Sequence, residues 1–412
     1  MIDFERFELE NGLKVIVHKD VSTPIVAVNV LYDVGARDET PDKTGFAHLF
    51  EHLMFGGSIN IPVYDEPLQM VGGENNAFTS NDITNYYLTL PKNNIETAFW
   101  LESDRMLSLA FTEKSLEVQK NVVIEEFKQR YLNQPYGDVF LLLRPLAYKV
   151  HPYSWPTIGK EIAHIEDATL KDVKDFFKKF YAPNNAVLVV AGDIEIQQVK
   201  ELAQKWFGDI PRGPENKRLL PKEPKKIKPE TLTVERDVPF DAIYKAYHIN
   251  ARKDKEYYTA DLISDILSRG NSSRFYIELV KKKKIFSEIN AYVTGDFDEG
   301  LLIVSGKIVK GFSVKEAEKA ILEEIEKLKN EVIKEEELIK VKNKVESTLV
   351  FSELSVSNKA MTLAYFELLS DAQMINQEVD KYMSISPDEI KNQANSVFSE
   401  QNCSTLYYLS KK

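Results

Sequence analysis

TPIVAVNVLYDV, residues 23–34, and VPFDAIYKAYHI, residues 238–249, read as one strand written twice. Laid over each other at a constant offset of 215, they match Pro24 to Pro239, Ala27 to Ala242 and Tyr32 to Tyr247. Both are rich in the β-branched and aromatic residues that suit a pleated surface. Further along the same register Thr44 falls on Thr259, and the helix that follows each threonine starts in step. One register without gaps over this span predicts a duplicated α+β unit.

The first half offers strands at LKVIVH (13–18), IVAVNVLYDV (25–34), TNYYLTLP (84–91) and AVLVVAGDI (186–194). Helices are predicted over 44–55, 62–71, 92–110, 113–131 and 170–180. The second half closes with a helical region that opens on VKEAEKAILEEIEKLKN (314–330), charged on one side and Ala/Ile/Leu on the other. Such an amphipathic stretch covers a sheet. The expected class is therefore α+β, with two homologous domains, each a mostly antiparallel sheet with helices packed on one face. At 412 residues the chain is too long for one ordinary core. DIPRGPENKRLLPKEPKKIKPETL (209–232) holds five of the seventeen prolines and a lysine cluster, a composition that resists packing. The expected division is 1–210, a linker over 211–230 whose lysines are solvated, and 231–412.

Bulk composition narrows the function classes. Hydrophobic content of 43% and charged content of 28% describe an ordinary soluble globular protein. A net charge of -11 speaks against a phosphate-tracking surface, so no nucleic acid partner is expected. The single cysteine, Cys403, excludes an internal disulfide and reads as an inert thiol. The opening MIDFERFELENGLKVIVHKD has no apolar leader region, and no apolar run reaches the ~20 residues of a membrane span. A cytoplasmic protein is expected, or a periplasmic one if a leader precedes this sequence.

The chemistry is concentrated in GFAHLFEHLMFGGS, residues 45–58. On a helix turning about 100° per residue, Glu51 and His52 lie at about 300° and about 40° from His48, so all three share one face. Leu49, Phe50, Leu53 and Met54 fill the other side and anchor it. Histidines one turn apart direct ring nitrogens at one ion, and the spacing matches a catalytic zinc pattern with the acid as base. By contrast His18, His164 and His248 read as hydrogen-bonded histidines of the core. A catalytic zinc takes three protein ligands and leaves one position open. In SLEVQKNVVIEEFKQRY (115–131), Glu126 shares a helix face with Gln119, Val122 and Val123, whereas Glu125 points about 100° away. Glu126 is thus the better third ligand, and Glu125 a surface residue. At the offset of 215, His48, Glu51 and His52 fall on Ile263, Ile266 and Leu267, so the second copy has no ligands.

HLFEH, with Glu126 downstream, resembles the inverted zinc motif of the pitrilysin family of inverzincin metallopeptidases, which includes insulin-degrading enzyme and the mitochondrial processing peptidase. GGENNAFTSNDITNYYLTLP (72–91) is similar to the substrate-binding strand segment of that family, HPYSWPTIG (151–159) to a later loop, and SRGNSSRFYIEL (268–279) to the second-half helix. The resemblance implies two homologous α+β domains and a zinc endopeptidase acting on short or unfolded polypeptides. It implies one zinc per chain on His48, His52 and Glu126, with Glu51 as general base. Asn76, Ala77, Phe78 and Thr79 would pair a substrate backbone as an added strand. Gln119 and Glu125 would be outer partners of the ligands.

Two departures accompany it. Relatives commonly carry a glutamate where this chain has Gln119, and single-chain relatives carry an arginine and a tyrosine where this chain has Val280 and Ser287. The missing pair implies a heterodimer with a homologous subunit that lacks HLFEH and supplies it. A homodimer using Arg274 or another basic group is the competitor. From a different class, a non-catalytic structural or peptide-holding subunit of the same fold is the alternative, against which the intact ligand set and Glu51 argue.

Overall fold

The duplicated strands sit at the same place in two sheets that share a five-strand wiring, to which the first adds one edge strand, Glu5–Glu8. In the structure, a computed structural model that describes residues 1–411, the first sheet is built from β1 (Glu5–Glu8), β2 (Lys14–Lys19), β3 (Ile25–Tyr32), β4 (Glu74–Thr79), β5 (Thr84–Pro91) and β6 (Ala186–Gly192). Its order is β1-β2-β6-β3-β5-β4. The second holds β7 (Glu230–Arg236), β8 (Ala242–His248), β9 (Phe286–Val293), β10 (Leu301–Ile308) and β11 (Cys403–Ser410), in the order β7-β11-β8-β10-β9. β3 lies antiparallel between β6 and β5, just as β8 lies antiparallel between β11 and β10. Each sheet also carries one parallel pair, β2 with β6 and β7 with β11.

The compact units that hold these sheets are not consecutive in sequence. One comprises residues 1–129, 155–220 and 350–377; the other comprises 130–154, 221–349 and the chain from 378 onward. This corrects the division at 210 and 231: residues 130–154 and 350–377 each belong to the unit built mainly from the other half. The reason is that both faces of each sheet are apolar and need cover. In the second unit, Ile243, Tyr247, Leu302 and Val304 face a core that includes residues of the helices Lys255–Ser268, Val314–Asn330 and Pro387–Val397. The alternate residues Ala242, Ala246, Leu301 and Ile303 face Val139, Leu143 and Ala147 of the helix Val139–Ala147. In the first unit every residue of β6 is buried, so both of its faces are covered. The helix Val356–Leu369 lies on β3, β5 and β6. It is tied there by Lys359 to Asp20 at 2.5 Å and by Glu367 to Lys14 at 3.2 Å.

The linker is irregular, with neither helix nor strand from 211 to 229, yet it is bound rather than free. Arg218 donates to Asp38 at 2.7 Å and to Asp33 at 3.1 Å within the first unit. Within the second, Glu223 accepts the backbone N–H groups of Lys149, Val150 and His151 at 2.8–3.0 Å. Lys217, Lys222, Lys225 and Lys228 are solvated as expected, but the Lys226 side chain is only 6% exposed and donates to Ser404 Oγ at 2.8 Å.

His18 bonds to the Asp3 carbonyl, His164 to the Thr44 hydroxyl and His248 to the Ala147 carbonyl, at 2.6, 2.8 and 2.9 Å. Cys403 is buried at the start of β11. Among the described residues, no helix is long and apolar enough to cross a membrane.

Candidate zinc and catalytic site

The histidine helix runs Phe46–Leu53, shorter at both ends than the 44–55 expected. Its start is set by Gly45 at φ +87°, a conformation in which a side chain is strained. A Cβ there would also meet the Ile158 carbonyl oxygen at 2.7 Å. Phe46, Ala47, Leu49, Phe50 and Leu53 are buried, so the anchoring face is the apolar one. Phe50 stacks on Tyr181 with ring centroids 4.7 Å apart. That leaves His48, Glu51 and His52 on the half-open side.

His48 Nε2 and His52 Nε2 lie 3.3 Å apart, their rings nearly perpendicular at 85°. Glu126 reaches them from the helix Glu113–Phe127, its Oε2 lying 3.6 Å from His48 Nε2 and 3.5 Å from His52 Nε2. Among the described residues this is the one group of three or more His, Cys, Asp or Glu side chains arranged to hold a metal ion. Donors at ~2.0–2.1 Å from a shared tetrahedral centre stand about 3.3–3.5 Å from one another, so the observed triangle fits a zinc ion in size. Two imidazoles and one carboxylate also fit it chemically, being a donor set of catalytic zinc. The three side chains keep 13%, 25% and 19% exposure, which leaves the open coordination position accessible from solvent.

Glu51 stands beside this triangle without joining it. Its Oε2 accepts the Thr79 hydroxyl at 2.6 Å. Burial raises its pKa above the ordinary carboxylate value, against the pull of the Thr79 hydrogen bond and of His52. Glu125 points into solvent and pairs with Lys128 at 2.7 Å, so it is no partner of the ligands. Gln119 lies two turns before Glu126, half-buried on the same helix.

β4 is the edge strand of its sheet and ends beside Glu51. Of the four residues read as substrate-pairing, Asn76 and Phe78 are exposed and Ala77 and Thr79 half-buried. Two details were not legible in the sequence. The Thr79 side chain is a partner of Glu51, and the N–H of Ala77 is already accepted by Asn76 Oδ1 at 2.8 Å. An incoming strand that used this N–H would displace the Asn76 amide.

The positions of the missing arginine and tyrosine differ in kind. Val280 packs against the core of the second unit, whereas Ser287 is exposed on β9. Arg274 is held by Glu337 through two bonds at 2.9 and 2.8 Å, so it is not the free basic group that the homodimer reading needs. In the second unit Ile263, Ile266 and Leu267 are fully buried where the first carries His48, Glu51 and His52.

Known proteins resemble this chain over nearly its whole length. Residues 14–160 match the family described as Insulinase (Peptidase family M16), and residues 167–345 match the Peptidase M16 inactive domain. The zinc protease PqqE of Helicobacter pylori is 31% identical over 409 residues, covering 98% of this chain and 92% of that protein. A probable mitochondrial-processing peptidase subunit beta of Arabidopsis thaliana is 24% identical over 354 residues, covering 83% of this chain and 66% of that protein. The crystal structure of a protease from Helicobacter pylori superposes with a TM-score of 0.93 at 30% identity, covering 99% of this chain and all of that one. The chain belongs to peptidase family M16, the pitrilysin family, and its relatives include proteins named zinc proteases.

Proposed function

We propose that this chain is a zinc-dependent endopeptidase that hydrolyses peptide bonds in short or unfolded polypeptides, with one zinc held by His48, His52 and Glu126 and with Glu51 as general base. The observation that carries this reading is the triangle of donor atoms with a separate carboxylate beside it. When bound there, zinc supplies Lewis-acid polarisation of a carbonyl and lowers the pKa of water towards ~7. Glu51 accepts the proton of the attacking water on a carboxylate oxygen and delivers it to the leaving amide nitrogen as the C–N bond breaks. Thr79 orients that carboxylate through its hydroxyl. The open edge of β4 aligns an extended peptide by backbone pairing, which demands little of the side chains.

The test is peptidase activity on a generic unfolded substrate with and without a chelator. Chelation is expected to abolish turnover, and stoichiometric zinc to restore it, while the chain stays folded because the unit that carries the site has a large apolar core of its own, including Val15, Val28, Leu49, Phe50, Leu188 and Val190. Activity that survives complete zinc removal would sink the reading.

Within the ligand set, Glu126→Gln is expected to weaken zinc binding, whereas Glu125→Gln leaves it unchanged, since the Glu125 side chain pairs with Lys128. Release of metal by the Glu125 substitution would reverse the assignment.

The partner follows from what this chain lacks. Val280 and Ser287 carry no cationic or phenolic donor for the developing oxyanion, and Arg274 is engaged by Glu337. The Arabidopsis relative is itself named as a subunit. This supports a heterodimer in which a homologous chain without HLFEH supplies the donors. Turnover by the purified chain should rise when such a chain is added; full activity alone, with no gain from the candidate, would exclude the two-chain site.

A further inference from the structure

The histidine helix has an N-cap residue that cannot cap. Gly45 has no side chain, and its packing against Ile158 and Ile165 leaves no room for the Ser, Thr, Asp or Asn that usually satisfies the first free N–H groups. Glu39, six residues upstream and buried, takes over that task from outside the helix. One carboxylate oxygen accepts the Gly45 N–H at 2.9 Å, and the other accepts the Ala47 N–H at 2.9 Å. The indole N–H of Trp155 donates to the first of these oxygens at 3.0 Å. Ala47 immediately precedes His48, so this clamp grips the turn that carries the first histidine of the triangle.

The second copy shows what the fold does without a metal site. At the offset of 215, Glu39 corresponds to Asp254, and there the helix starts at once, running Lys255–Ser268 with Asp254 as its N-cap. The position of Gly45 is taken by Ala260, inside the helix and fully buried. The helix of the histidine-bearing copy thus starts six residues later at the same offset, and a remote bidentate carboxylate receives two of its first N–H groups, whereas Asp254 caps no helix N–H with its side chain.

We infer that Glu39 is a positioning residue for the metal triangle: it fixes the rotation and axial position of the first turn, and thereby where His48 Nε2 stands relative to His52 and Glu126. A shift of the turn by a fraction of an ångström would spoil a triangle whose sides are 3.3 to 3.6 Å. Burial pushes the Glu39 carboxyl up to about 8 against the pull of its N–H donors, a desolvation cost that a solvent-facing N-cap would avoid. Glutamine at 39 keeps the size but presents an NH2 group to one of the two helix N–H groups, so one side of the clamp opens.

The inference rests on the zinc reading above, and one set of measurements separates the two. Zinc affinity is measured by chelator competition, and site geometry by the visible spectrum after cobalt substitution, for the native chain, Glu39→Gln and Trp155→Phe. The native chain should bind one zinc; if it binds none, the zinc reading falls and this inference with it. Glu39→Gln should raise the zinc Kd by about 10–100-fold, the usual effect of losing a group that orients a ligand, and should shift the cobalt bands. Trp155→Phe, which keeps Glu39 and removes one of its donors, should move both in the same direction by less. A merely structural role would lower the melting temperature of the metal-free chain and leave the Kd and the cobalt spectrum of the folded protein unchanged, and that result overturns the inference. Should Glu39→Gln fail to fold, Trp155→Phe decides: an unchanged zinc Kd overturns the inference and a weakened one supports it.

Discussion

Replacing Glu51 by glutamine is expected to leave zinc bound and to reduce peptide turnover by about 10²–10⁴-fold, the range that a positioned general base contributes. The carboxylate is not one of the three atoms that form the donor triangle, so its loss removes no ligand. Glutamine keeps the shape, and its carbonyl oxygen can still accept the Thr79 hydroxyl. What it cannot do is accept a proton from water at neutral pH. Metal analysis and steady-state kinetics on the same preparation decide the matter: kcat and kcat/KM should fall together while zinc content stays at one per chain. A variant that loses zinc would make Glu51 a ligand, and a variant that keeps turnover would remove it from the chemistry.

His48→Ala, or His52→Ala, should instead lose the metal. Each supplies one of only three donors, so zinc affinity is expected to fall by more than the 10–100-fold that removing an outer partner costs. The second unit indicates that the scaffold tolerates the change, because Ile263 and Leu267 occupy the equivalent helix positions fully buried. The metal-free variant should therefore melt close to the metal-free native chain. The native chain should gain stability when zinc is added, about 2.7 kcal/mol at a hundredfold excess over Kd, and the variant should not. Thermal unfolding with and without zinc reads this directly. A zinc-induced rise of equal size in His48→Ala would place the ion elsewhere.

Much of the fold was legible because its signals are local or periodic. The strand repeat at 23–34 and 238–249 predicted two units of one wiring, and β3 and β8 occupy the corresponding places in their sheets. The helix predicted over 170–180 is Leu170–Phe180, since a threonine cap opens it and an apolar stripe runs its length. Glu126 was separable from Glu125 by helix phase alone, because 100° of rotation turns one side chain toward the histidines and the other to Lys128.

The elements, their duplication, and the face on which His48, Glu51 and His52 lie are therefore legible from residue order alone. Periodicity writes these into every few residues. The remaining features depend on contacts between distant segments. That residues 130–154 and 350–377 each join the unit built from the other half depends on which apolar sheet face each helix covers, and a helix pattern records that it is apolar but not against what. The same holds for Lys226, whose neighbours in sequence predict a solvated linker while Ser404 holds its ammonium out of solvent. It holds again for Thr79 on Glu51 and for Glu39 on the turn before His48. Hydrogen bonds between residues 28 and eight positions apart follow no period in the chain, and only the folded backbone brings their partners together.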